Sequence, residues 1–130
     1  MFAAHQRRME RGQLMGARGE QTIIVGDEEI RVLFTNRALA EAEQALGKGI
    51  FQIFQDFIDQ RAGITDTVHL LRAGMEAARR DARTGGKAVQ TTDAYDVLDQ
   101  IGFQPVIQHV ALAISEVLSY NAEEDSDPNP

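Results

Sequence analysis

TNRALAEAEQALGKGIFQIFQDF, residues 35–57, decides how the chain folds. Thr35 or Asn36 is a good N-cap, because a side-chain oxygen there satisfies an unpaired N–H of the first turn. The Ala, Glu and Leu residues that follow are strong helix formers. Leu39, Ala42, Glu43 and Leu46 fall at i, i+3, i+4 and i+7, one face of a helix. Gly47 supplies the stop, and Gly49 lets the chain turn again. Ile50, Phe51, Ile53, Phe54, Phe57 and Ile58 then form an apolar arc wide enough for a short helix clasped on more than one side. Glu43 interrupts the apolar face of the first helix. A half-buried carboxylate is one signature of a general acid or base. No second catalytic group accompanies it, so the sequence favours a structural role: a hydrogen bond to nearby backbone, or an ion pair with Arg31 or Lys48.

N-terminal to this stretch, EQTIIVGDEEIRVLFT places a β-branched run before an alternating one, with the turn signal GDEE between them. It predicts a β-hairpin with strands near 20–25 and 29–34. A lone hairpin is marginally stable, so one face must pack on helices. C-terminal to it, Gly63 ends the second helix and Thr65 caps a third over about 65–80, with Val68, Leu71, Met75 and Ala78 as its stripe. RTGGKAVQ is a loop. Thr92 caps DAYDVLDQIG, and Pro105 opens VIQHVALAISEVLSY as a first helical residue. The expected fold is α+β, mainly α: an N-terminal hairpin packed on a bundle of about five short helices. Residues 1–18, with Gly12, Gly16 and sparse apolar positions, read as a mobile basic arm. Residues 19–120 form a single domain, and 121–130 read as a disordered acidic tail.

Composition narrows the function classes. Hydrophobic content is 43% and aromatic content 6%, so the core must be chiefly aliphatic. The absence of Cys removes disulfide frameworks, thiol nucleophiles and Cys-type zinc sites. It fits the cytoplasm of a host cell as the expected location. No apolar run approaches the roughly 20 residues that span a bilayer, so no membrane partner is expected. MFAAHQRRMERG lacks an apolar stretch after its arginines, so no secretory signal is predicted. The net charge of −7 disfavours nucleic-acid binding in bulk. Two basic clusters cut against that trend: Arg7, Arg8, Arg11 and Arg18, and then Arg79, Arg80, Arg83 and Lys87. They are read as solvated arm and loop unless they converge in space.

Reactive constellations are weak. His5, His69 and His109 lack the i, i+3 or i+4 partners of a helical metal site, so ordinary polar positions are expected. Asp93, Asp96 and Asp99 form an acidic row that could ligate a divalent cation. It lacks the loop and glycine of a calcium hand, and Asp93 is explained by capping. RTGGKAV is not a phosphate loop, because Asp81 stands where the first Gly belongs and Ala88 follows Lys87. With no GxSxG and no Ser–His pairing, no catalytic residue, cofactor or metal ligand is nominated, and the chain is read as a non-enzyme.

The order of pieces is informative as a whole. A strand pair with a charged turn, then TNRALAEAEQALG, LLRAGMEAAR and TTDAYDVLDQIG, resembles the tail assembly chaperones of siphophages and prophages, the gene transfer agent branch above all. The resemblance covers roughly residues 18–120. It implies a chaperone that binds the tape measure protein, the tail tube protein, or both, before the tail polymerises, possibly as a homo-oligomer. Phe51, Phe54, Phe57 and Ile58 are the candidate partner-binding residues. The plainer reading of the same four residues, and the favoured one, is that they are simply core. Two other readings stand beside this one: a structural head–tail or tail-terminator component of the virion, and a small nucleic-acid-binding regulator using the basic clusters.

Overall fold

The computed structural model describes residues 19–126. Two strands, β1 (Glu20–Val25) and β2 (Glu28–Leu33), precede five helices: α1 (Asn36–Leu46), α2 (Ile50–Ile58), α3 (Ile64–Ala82), α4 (Thr91–Ile101) and α5 (Phe103–Ser126). The expected hairpin and helix bundle are both present. The helices are less uniform than expected, since α3 has 19 residues and α5 has 24. The basic arm, with His5, lies outside the described residues.

The strands pair antiparallel in a register that sets Ile23 opposite Ile30 and Gln21 opposite Val32. Gly26 takes φ 62° in the connecting pair Gly26–Asp27. A turn with positive φ at its first central residue matches the right-handed twist of the flanking strands. Ile23, Val25 and Val32 are buried on one face, whereas Ile24 faces outward and is exposed. At the open end, the Phe34 N–H donates to the Gly19 carbonyl at 3.1 Å.

α3 forms the centre. It packs on β2, α1 and α4. Its Gly74 is there for space: a Cβ at that position would lie 2.9 Å from Phe34 Cζ and 3.1 Å from Val32 Cβ. The missing side chain lets the Phe34 ring rest on the helix backbone, 1% exposed. α5 closes the other side against β1 and α2, contributing Val106, Val110, Ala113, Ile114 and Val117 to the core. The core is aliphatic apart from Phe34 and Phe57.

Helix starts follow local chemistry. Thr35 Oγ1 accepts the Ala38 N–H at 3.1 Å, as expected of that cap. α3 and α4 begin slightly earlier than Thr65 and Thr92 would place them. Asp66 accepts the Gly63 N–H at 3.2 Å, and Asp93 accepts the Gln90 N–H at 2.8 Å. In both, a carboxylate in the first turn reaches back to the residue before the helix. α5 likewise starts at Phe103, ahead of Pro105.

Candidate functional site

Helix α2 exists as a separate element because of the corner before it. Gly47 adopts a left-handed conformation at φ 72°, and its N–H donates to the Glu43 carbonyl at 2.7 Å. Glu43 Oε2 then accepts the Ile50 N–H at 2.7 Å. A carboxylate of α1 thus caps the first N–H of α2, at a helix end where negative charge is favoured. Neither Arg31 nor Lys48 pairs with Glu43. Arg31 binds Glu20 and Asp81, and Lys48 binds Asp56 and Asp66.

Asp56 anchors the other face of α2. It accepts from Lys48 Nζ at 2.7 Å, Gln52 Nε2 at 2.9 Å and an Arg61 nitrogen at 3.1 Å. The Lys48 bond foremost, with Gln52 behind it, holds its carboxyl down at about 2. The Asp56 carbonyl also accepts the N–H groups of Arg61 and Ala62, at 2.7 and 3.1 Å. These bonds fix the segment that leaves the helix, where Gln60 sits at φ 60° without being glycine.

With its ends fixed, α2 carries two adjacent apolar stripes. Ile50, Ile53 and Phe57 face the core, and Phe57 is 7% exposed. Phe51, Phe54 and Ile58, at i, i+3 and i+7, form the second. Phe51 is 75% exposed, Ile58 is 57% exposed, and Phe54 is half-buried between them. The structure therefore divides the four sequence candidates: Phe57 lies in the core, Phe51 and Ile58 face solvent, and Phe54 spans the boundary. A crevice of about 430 Å³ adjoins the helix end, lined by Phe57, Ala62, Phe103, Ile107 and the amides of Gln60, Gln104 and Gln108. Among the described residues, no charged side chain lines it. Ile64, 53% exposed at the start of α3, follows the same segment. The arrangement offers apolar contact and uncharged hydrogen bonding, with no paired acid and base among the described residues that line it.

The C-terminal end of α3 is built differently. Glu76, 2% exposed, accepts from Arg79 at 2.6 and 2.9 Å and from the Val89 N–H at 2.8 Å. The Arg79 bonds, and then the Val89 N–H, hold its carboxyl down at about 2. Arg72 and Arg80 meet Glu41 at 3.2 and 3.3 Å. Arg79 also reaches the Gly85 and Gly86 carbonyls. Much of the second basic cluster is thus committed to carboxylates and to its own loop. Among the described residues, no group of three His, Asp or Glu side chains could hold a metal ion. Asp93 caps α4, and His109 Nδ1 sits 3.1 Å from Gln21 Oε1.

Residues 18–115 match the model of a protein family described as phage tail tube protein, GTA-gp10. The chain belongs to that family. No curated protein and no solved structure matches it. Membership of the GTA-gp10 family places the chain among tail-related structural proteins of phages and gene transfer agents. Among the described residues, no single helix is long and apolar enough to cross a membrane.

Sequence reasoning missed Asp56 and Glu76, the two buried carboxylates that brace the helices. Glu76 stood three residues before Arg79 and four before Arg80, a spacing that permits pairing on one face. Nothing local signalled that the Val89 N–H would join them. The glutamines of the crevice carried no pattern at all.

Proposed function

We propose that this chain is a tail assembly chaperone that holds the tape measure protein, the tail tube protein, or both, before the tail polymerises. The observation that carries this reading is the outer stripe of α2, where Phe51 and Ile58 flank Phe54 on one exposed face. A fixed apolar stripe of this kind marks an interaction surface. An amphipathic helix laid along it would set apolar anchors against Phe51 and Ile58 and a side chain in the neighbouring crevice. The charges nearby, Lys48, Asp56 and Arg61, already pair with one another. Recognition would then rest on apolar contact and depend little on salt.

Co-expression with the tape measure protein of the same tail gene set tests this reading. The expected outcome is a larger soluble tape measure fraction with the wild-type chain and no gain with Phe51→Asp/Ile58→Asp. A tape measure protein equally soluble with either form would overturn it. A second reading, a permanent component of the tail, is favoured by the description of the family as a tail tube protein. The two separate in finished particles: mass spectrometry finds a structural component at stoichiometric level, and an assembly chaperone absent or in trace.

A further inference from the structure

Three arginines from two helices converge on one crevice. Arg37 in the first turn of α1, Arg80 near the end of α3 and Arg83 just beyond it line a cavity of about 330 Å³. Leu33 and Ala77, both buried, supply its apolar part, and Thr35 and Asp81 complete the lining. Positive charge here exceeds what the surrounding acids neutralise. Arg37, Arg72, Arg79 and Arg80 share two carboxylates, Glu41 and Glu76. Arg31 pairs with Glu20 and Asp81. Among the described residues, no ion pair or side-chain hydrogen bond holds Arg83. A local surplus of arginine stands out on a chain whose net charge is −7.

Arg83 also keeps a backbone conformation that its side chain makes costly. It ends α3 at φ 57°, in the left-handed region. Glycine adopts that region freely, and Gly47 fills the matching position after α1. A larger residue held there points to a use for its side chain. Arg83 is exposed, so its guanidinium is open to a partner.

Guanidinium groups bind carboxylates and phosphates alike. The surroundings favour carboxylates carried on a peptide. Leu33 and Ala77 offer an aliphatic side chain a place between the cations. Asp81 opposes an unbroken row of phosphates, whereas a peptide can set its carboxylates at the arginines alone. The negative charge of the whole chain also repels a polyanion. We propose that this crevice docks an acidic segment of another protein, with an aliphatic side chain beside Leu33 and Ala77 and flanking carboxylates on Arg37 and Arg83. The site is separate from the α2 stripe and does not depend on the chaperone reading.

An NMR titration of the isotope-labelled full-length chain with the peptide Gly-Glu-Leu-Glu-Glu-Gly tests the proposal. Saturable shifts are expected at the amides of Leu33, Thr35 and Arg83. A peptide with glutamine in place of each glutamate should bind about tenfold more weakly, and serine in place of leucine should also weaken it. Arg83→Gly suits the backbone, so its melting temperature should equal or exceed that of the wild type while its affinity for the peptide falls about tenfold. A merely structural arginine would not part stability from binding in this way. Phe51→Asp/Ile58→Asp should bind the peptide like the wild type. Shifts that never saturate, or an affinity unchanged by Arg83→Gly, overturn the proposal. So does tighter binding of inorganic phosphate or of a short oligothymidine at the same amides, which would make the crevice a phosphate or nucleic-acid site. Shifts at these amides that grow with protein concentration in the absence of peptide also overturn it, by assigning the crevice to a second copy.

Discussion

Helices α2 and α3 follow one another in the chain and place their apolar residues in opposite ways. α3 buries nine of its 19 residues and turns a large hydrophobic side chain outward only at its first position, Ile64. α2 buries three of nine and leaves Phe51 and Ile58 in solvent. α3 is shared among β2, α1 and α4, so its residues must suit several neighbours at once. α2 packs one stripe on the core through Ile53 and Phe57, and Glu43 and Asp56 tie its ends. On the proposed reading, that division leaves one helix to carry the fold while its neighbour presents the contact surface, because a face that is not needed for packing is free to recognise something else.

The sharpest way to break the comparison is at the centre of α3. Phe34 fills the space that Gly74 leaves open. Phe34→Ala should cost about 3–5 kcal/mol, the range for removing a buried aromatic ring, read as a drop in the urea midpoint with little change of slope. A smaller loss, comparable to that of an exposed site, would mean that α3 is not the centre of the fold.

A smaller effect is expected from the carboxylate that closes α3. Glu76→Gln keeps the shape but weakens charge-assisted bonds to Arg79 and Arg80, and should cost about 2 kcal/mol. Its pH signature is directional. The folded-state pKa of Glu76, about 2, lies below its ordinary 4.5, and that of Asp56, about 2, lies below 3.8. Stabilisation by these groups is therefore complete above about pH 4.5 and disappears as pH falls through 2. Thermal melts across that interval should show falling stability in the wild type and a shallower fall in Glu76→Gln. Equal slopes would remove Glu76 from the acid response.

The two helices also differ in how far the sequence reveals them. The hairpin and the order of helices were legible because local signals agreed: alternation around a glycine turn, Thr35 before a helix-forming run, and Gly47 after it. The role of Glu43 was legible in kind, as a local hydrogen-bonding group, but its partner depended on where α2 begins. The starts of α3 and α4 were misplaced because Thr65 and Thr92 look like caps, while Asp66 and Asp93 actually accept the cap N–H groups. For α2, periodicity identified apolar residues without sorting them. Its two stripes are neighbours on a nine-residue helix, and only the positions of α5 and the core decide that Phe57 turns in and Phe51 turns out. Glu76 was hidden for a related reason. Its backbone partner, Val89, is 13 residues away, beyond a loop whose path no local pattern specifies.

The smallest expected change in stability is at the proposed contact surface, and it bears most on function. Phe51→Asp and Ile58→Asp each replace a side chain that is already mostly in water. Surface changes of this kind usually alter stability by about 0.5 kcal/mol or less. Phe57→Asp, on the neighbouring stripe, buries an unpaired charge in the core and should unfold the domain or lower its melting temperature sharply. The contrast between adjacent residues of one helix makes the test internal. If Phe51→Asp destabilises as strongly as Phe57→Asp, the outer stripe belongs to the folding core and the division of labour between α2 and α3 fails. If Phe51→Asp and Ile58→Asp fold like the wild type yet no longer retain the tape measure protein in a pull-down, the exposed stripe acts in recognition. Repeating the pull-down at high salt sharpens the result further. Apolar contact predicts retention that persists or strengthens, whereas an interaction carried by surface charges would weaken as screening sets in.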